Sequence, residues 1–209
     1  MQRILVIGGH TRNIGKTQLV VEIIRAFPQA RWSAAKITQF GHGICSVNGE
    51  SCDCATDEHT VALEEEQDAA SGTDTARFLA AGAARVYWVR TKQGRLAEAM
   101  PLLRQRLAGA ENVILESNTV LHFLRPALYL PVLDFAQADF KASAREFLDR
   151  ADAYVLLGPR PPTPAWDGVS LQPLEHKPVF VVQPEQLCPP TLVEFIRDHI
   201  FASQASHHD

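Results

Sequence analysis

The run Gly8-Gly9-His10-Thr11-Arg12-Asn13-Ile14-Gly15-Lys16-Thr17 holds the densest chemistry in the chain. It follows a short apolar stretch and opens an apolar-periodic one. In that setting successive backbone N–H groups curl round an anion, and a helix N-terminus adds partial positive charge. Glycines let the backbone approach closely. Gly9, Thr11, Asn13, Ile14, Gly15, Lys16, Thr17 and Gln18 are therefore the candidate phosphate-binding residues. Lys16 is placed to reach β- and γ-phosphate oxygens, and the Thr17 hydroxyl to ligate Mg²⁺. The cofactors implied are ATP or GTP with Mg²⁺. Gly9 and Gly15 enclose five residues rather than the usual four, and His10 stands where the first glycine of the shorter spacing would be.

A second cluster is His42-x2-Cys45-x6-Cys52-x-Cys54-x4-His59, three thiols and two imidazoles in an acidic, Gly-containing stretch. Zn²⁺ or another soft metal needs four such ligands near the corners of a tetrahedron, which a loop can supply. Two readings stand side by side, a metal site and reduced surface thiols. A disulfide falls behind both, because Cys-x-Cys has little room for one. A bound metal would either order the loop or be cargo.

These residues need a scaffold. Short apolar runs at 3–8, 31–38, 84–90, 112–116, 127–133, 152–157 and 178–183 read as buried strands. Helical spacing at 16–27, 74–82, 94–108, 141–150 and 190–202 places helices between or after them. The alternation predicts an α/β fold, a mostly parallel sheet with helices on both faces, carrying the Cys/His loop as an insertion. One domain is expected over 1–202 with the insertion at about 40–68, a Pro-rich surface loop at 159–175, and a frayed tail at 203–209. Between Lys36 and Arg77 there is no Lys or Arg but nine acids, so the negative charge is localised. Glu64-Glu65-Glu66 reads as a solvated helix face. Glu116 closes an apolar strand, where a carboxylate is costly unless used. Asn118, His122 and Arg125 follow it and are expected over the same sheet edge, where Arg125 could stabilise a transferring phosphoryl group. Asp134 ends the next strand and could bind substrate or support a loop. Cys188 reads as a small buried side chain, and His207 and His208 as solvated.

With those motifs in hand, the G-x5-G-K-T spacing resembles dethiobiotin synthetase and related SIMIBI-class P-loop NTPases. Ala34-Ala35-Lys36-Ile37-Thr38, Gly72-Thr73-Asp74-Thr75-Ala76-Arg77 and Ala80-Ala81-Gly82-Ala83 resemble the molybdopterin-guanine dinucleotide biosynthesis adaptor protein B family. Val113-Ile114-Leu115-Glu116-Ser117 resembles the strand ending in Val-Glu-Gly of both families and the Ile-Glu-Ser of nickel-enzyme GTPases. The resemblance spans roughly residues 1–120. It implies a three-layer P-loop NTPase fold and puts Glu116 near Mg²⁺ or its water. It makes Asp74 a second Mg²⁺-side or water-orienting group, and sets Lys36 against a phosphate or a second substrate's carboxylate. Thr17, Asp74 and Glu116 form the implied Mg²⁺ set, and Lys16, Glu116, Asp74, Lys36 and Arg125 the implied catalytic set. No Asn-Lys-x-Asp follows 152–157, where Gly158-Pro159-Arg160-Pro161-Pro162 stands, which tilts the base toward adenine or toward loose selectivity. Ser117 replaces the synthetase's glycine, which sets biotin-pathway chemistry in doubt.

The 209 residues carry 46% hydrophobic side chains and a net charge of -4. That supports a packed core and argues against wrapping nucleic acid, which needs clustered cations. No apolar run reaches a membrane span, and Ile4–Ile7 is too short for a signal core, so a cytoplasmic protein is expected. Four cysteines do not make a disulfide scaffold. The expected function is a Mg²⁺-dependent nucleotide-binding NTPase that hydrolyses or transfers a phosphoryl group, ATP before GTP. It would serve as an accessory protein for molybdenum or another metal cofactor, meeting a cofactor-biosynthesis or metalloenzyme partner. The alternatives are an ATP-dependent ligase or kinase of dethiobiotin-synthetase type, and a metal-binding scaffold with a non-catalytic nucleotide site. Relatives of this class suggest a homodimer by analogy.

Overall fold

The computed structural model of the protein describes residues 2–40, 60–159 and 163–201. Its frame is one sheet of eight strands. In chain order they are β1 (Arg3–Gly9), β2 (Ser33–Phe40), β3 (Val61–Glu65), β4 (Arg85–Lys92), β5 (Asn112–Glu116), β6 (Leu128–Asp134), β7 (Tyr154–Leu157) and β8 (Val179–Val182). The spatial order is β3-β4-β2-β5-β1-β6-β7-β8, with every pair parallel except β3 against β4. Among the described residues five helices lie between strands, α1 (Lys16–Ala26), α2 (Asp74–Ala80), α3 (Leu96–Leu107), α4 (Ala142–Phe147) and α5 (Gln172–Glu175), and α6 (Pro190–Ile200) follows β8. The expected α/β sheet with helices on both faces is therefore present.

Strands buried on both faces need apolar residues at successive positions, and β1 shows how they divide. Leu5 and Ile7 face one core layer, with Leu19 and Ile23 of α1, Phe27 just past its end, Phe78 of α2, and Leu192 and Ile196 of α6. Val6 faces the other, with Leu96, Ala99 and Leu103 of α3, and Phe147 and Leu174. α1 forms because Leu19, Val20, Ile23 and Ile24 recur at helical spacing, and Pro28 follows its end. Thr73 caps α2 by accepting the Ala76 N–H, and Gly82 at φ 104° supplies the left-handed residue just beyond it.

Two expectations fail here. Glu64 and Glu65 lie in β3, not on a helix. They meet Arg90 and Arg85 of β4 across an antiparallel edge pair. Only five residues long and charged on its outer positions, β3 gives too little period-2 signal to show in the sequence. It also makes the end of the presumed insertion part of the sheet. The Pro-rich stretch contains α5 and sends Trp166 into the core, 4% exposed. The motif His42, Cys45, Cys52, Cys54 and His59 lies outside the described residues, as do His207 and His208. No helix among the described residues is long and apolar enough to cross a membrane.

Candidate phosphate-binding site

The parallel order brings the carboxyl ends of β1, β2 and β5 side by side, with β5 and β6 flanking β1. Ligands in open α/β sheets bind at such an edge. Residues 10–15 leave the tip of β1 as a loop and enter α1. Asn13 at φ 54° and Gly15 at φ 86° give the two left-handed residues that curl it. Gly15 has no side chain to cap α1, and the first turn holds no acid. The first-turn N–H groups thus remain to meet an anion. Lys16 folds back over the loop and donates to Thr11 O at 2.8 Å. Burial pulls its ammonium below the ordinary lysine range against the nearby Glu116 carboxylate, and Lys36 adds repulsion.

The loop is fixed from three sides. Asn118, just past β5, donates to Gly9 O and accepts from Gly9 N–H, both at 2.9 Å. A methyl group on Gly8 would lie 2.3 Å from Asn118 Oδ1 and 2.7 Å from the Tyr129 hydroxyl, so only glycine fits. His10, fully buried, accepts the Asp134 N–H at Nε2 (2.9 Å), and its Nδ1 lies 2.8 Å from Asp139 O. Only the neutral tautomer with its proton on Nδ1 makes both bonds. Burial, opposed by the bond to Asp139 and by Asp134, keeps its pKa below the usual histidine range. Phe140 and Trp166 pack on the ring at 5.1 and 4.8 Å between centroids. Thr11 donates to the Asp139 carboxylate, and His10 O accepts the Lys141 N–H at 2.8 Å.

Opposite Lys16 stand the acids. Thr17 Oγ1 donates to Glu116 Oε2 at 2.9 Å across 99 residues of sequence. The Glu116 side chain is 5% exposed. Asp74 at the start of α2 comes to the same place, and Lys36 of β2 sits between the two carboxylates. Its Nζ pairs with Asp74 Oδ2, lies 3.3 and 3.5 Å from the Glu116 oxygens, and 3.2 Å from Thr17 Oγ1. For Lys36, burial is outweighed by Glu116 and Asp74, which hold the ammonium above its usual range. For Asp74, burial likewise yields to Lys36, and the carboxyl is held low. Arg77 adds an ion pair to Asp74 Oδ1 at 3.5 Å and reaches Gln18 Oε1 at 2.5 Å.

This donor set suits Mg²⁺, a hard cation that binds through one or two carboxylates and a hydroxyl and keeps several waters. Among the described residues no group of three or more His, Cys, Asp or Glu side chains could hold a metal. A divalent ion here would therefore draw its remaining oxygens from water and phosphate.

Of the expected residues, the structure brings together Lys16, Thr17, Lys36, Asp74 and Glu116. Lys36, expected against a phosphate or a second substrate's carboxylate, faces the site's own acids Asp74 and Glu116 in the ligand-free chain. Arg125 is a correction. Ala127 N–H bonds Ile4 O at the start of β1, and Phe123 O accepts from Arg104, so Arg125 lies toward the amino end of the strands. Five strand steps separate Ile4 from Gly9, about 16 Å, which puts the guanidinium far from the loop. His122 leaves the edge as well, exposed and 3.4 Å from Glu146. Asp134 supports its own turn by accepting the Ala136 N–H. Cys188 is partly buried, with burial pushing its thiol up to about 12.

Sequence reasoning missed three contributors. Glu66 accepts hydrogen bonds from Thr73 and Thr75 at 2.8 and 2.9 Å and so fixes the turn that delivers Asp74. Asp139 anchors Thr11 and His10. Lys141 is drawn down to about 8 by burial and by the charges of Lys16 and Arg12, a third cation beside the loop. No spacing rule links residues 66, 139 or 141 to the motif, and only the fold does.

The fold and the loop define an α/β protein whose open, mostly parallel sheet carries a glycine-containing loop between its β1 strand and α1. No protein-family model and no curated protein matches the chain by sequence. It is similar in structure to HypB from Helicobacter pylori in complex with nickel, at TM-score 0.49 and 12% identity over 98% of this chain and 90% of that one. LpxK from Aquifex aeolicus in complex with ATP gives TM-score 0.49 and 14% identity over 86% of this chain and 53% of its own. The 54 kDa signal recognition particle protein from Aeropyrum pernix in complex with GDP gives 0.47 and 14% over 98% and 47%. The chain spans about half the length of the latter two.

Proposed function

We propose that this protein binds a nucleoside triphosphate with Mg²⁺ at the β1–α1 loop and hydrolyses it or transfers its terminal phosphoryl group. The observation that carries this reading is the Thr17–Glu116 hydrogen bond. It joins the end of the glycine-rich loop to a buried strand-end carboxylate, the pairing that seats a hydrated cation beside a bound polyphosphate. The loop N–H groups and Lys16 would hold the phosphate oxygens and neutralise charge as it develops on them. Thr17 and Glu116 would hold Mg²⁺ there, and the ion would supply charge neutralisation at the phosphates. Asp74 and Glu116 would orient its waters. Among bases we favour adenine or loose selectivity, because no Asn-Lys-x-Asp follows β7, where Gly158-Pro159-Arg160-Pro161-Pro162 stands.

The decisive experiment is calorimetric titration of ATP and GTP with Mg²⁺ into the wild type and Lys16→Ala. Binding in the wild type that weakens in the variant, with an unchanged circular dichroism spectrum, supports the reading, and equal binding in both removes it. The motif from His42 to His59 supports the narrower proposal of an accessory factor for a metal cofactor. Stoichiometric metal in the purified protein, lost when Cys52 and Cys54 are both changed to Ser, is the expected result. A metal-free protein prepared under reducing, metal-replete conditions would leave only the nucleotide chemistry.

A further inference from the structure

Lys36 places a cation where the site's donor set calls for one. Four oxygens face its Nζ: Thr17 Oγ1 at 3.2 Å, Glu116 Oε1 at 3.3 Å, Glu116 Oε2 at 3.5 Å and the short contact to Asp74 Oδ2. These are the groups the preceding reading gives to the hydrated Mg²⁺. From the geometry we infer that Lys36 is a tethered competitor of the divalent cation, a positioning residue that makes cation binding conditional on a polyphosphate. The inference rests on the nucleotide reading for its second half only. The competition itself involves no nucleotide.

The two carboxylates already face Lys36, Lys16 and the Arg77 paired with Asp74, so the pocket carries no net negative charge to attract a dication that must shed part of its water. If Mg²⁺ entered alone, the half-buried ammonium would have to leave its partners and remain beside a double positive charge. A polyphosphate changes the balance. It brings several negative charges to the loop next to Lys16, gives the Lys36 ammonium a new anion within a swing of its side chain, and adds oxygens to the metal. Mg²⁺ and polyphosphate therefore tighten one another, and by linkage the factor is the same in both directions. The same contacts give the empty site an order it would otherwise lack. Lys36 holds Asp74 of α2 against Glu116 of β5, so the acids do not repel each other apart before the ligand arrives.

The test is a titration of Mn²⁺, a paramagnetic stand-in for Mg²⁺, into nucleotide-free protein, followed by electron paramagnetic resonance at mildly alkaline pH. Lys36→Met keeps an unbranched side chain one atom shorter and removes the charge. The expected result is a gain in nucleotide-free Mn²⁺ affinity of about tenfold or more over the wild type, with a smaller tightening of Mn²⁺ by an ATP analogue. An affinity that is unchanged or reduced overturns the inference. Should the variant fail to fold, the wild type carries the test through the ¹⁵N-detected ammonium resonance of Lys36. That signal is expected to hold its position in Mg²⁺ alone and to move when Mg²⁺ and a non-hydrolysable ATP analogue are added together. Displacement by Mg²⁺ alone, or a bound Mg²⁺–analogue complex with the signal unmoved, overturns it. An analogue that does not bind at all overturns the nucleotide reading instead, and the nucleotide-free Mn²⁺ titration tells the two failures apart.

Discussion

Single residues in this site act through charge in a confined place. Lys16 has its ammonium destabilised by burial and by Lys36, and it gains most when an anion arrives. Lys16→Ala should lower nucleotide affinity by roughly 10- to 100-fold, the worth of one charge-assisted contact, as read by calorimetry. Glu116→Gln keeps a hydrogen-bond acceptor for Thr17 and loses the charge. Metal-free nucleotide binding should survive in that variant while the Mg²⁺ concentration needed for tight binding rises about tenfold or more, checked by titrating Mg²⁺ at fixed nucleotide. Asn118 is different in kind, because its close partners are both groups of the Gly9 backbone, with only a long contact to Ser143 Oγ at 3.5 Å besides. Asn118→Leu removes both partners of Gly9 and should destabilise the fold by about 1–2 kcal/mol in urea unfolding.

At the scale of elements, the β1–α1 loop is held by the segment after β6 through His10. Protonation of Nε2 would replace an acceptor with a donor facing the Asp134 N–H. Because the folded pKa of His10 lies below its ordinary value of 6.5, the unfolded chain binds the proton more readily. The stabilisation is then fully present above about 6.5 and is lost as pH falls from there toward the lowered folded value. Unfolding free energy measured across this window should fall with acidification in the wild type, and His10→Gln should flatten that slope. Lys141 lies on the same segment, and its pKa of about 8 is depressed by burial, Lys16 and Arg12. An incoming phosphate would raise it, so nucleotide binding near pH 8 should take up protons. Calorimetry in buffers of different ionisation enthalpy measures that uptake, and Lys141→Met should diminish it.

Across the whole molecule, the site joins pieces far apart in sequence: the loop at 8–17, Lys36 on β2, Asp74 on α2 and Glu116 on β5. A ligand gripping all of them should stabilise the fold as a unit. At a hundredfold excess over Kd the linkage is worth about 2.7 kcal/mol, or roughly 5–10 °C in melting temperature for a chain this size. Differential scanning fluorimetry with Mg²⁺–ATP, repeated with EDTA and with Lys16→Ala, checks both the size of the shift and its dependence on the cation. No shift under any nucleotide would contradict the proposed function.

Local sequence determined the strands that are buried on both faces, because continuous apolar runs such as Leu5–Ile7 and Val113–Leu115 have no other stable place. It determined the loop too, since Gly8, Gly15, Lys16 and Thr17 lie within one ten-residue run and their backbone demands are local. β3 stayed hidden because a five-residue edge strand of charged and apolar residues owes its conformation to pairing with β4 rather than to its own pattern. Tertiary structure alone decided that Lys36 faces Asp74 and Glu116, that Arg125 is carried to the opposite edge, and that Asn118, Asp139 and Glu66 brace the site. The physical reason is range: backbone preference and hydrophobic period act over a few residues, whereas an ion pair depends on which strands end side by side. That order is set by the packing of both faces of the sheet at once.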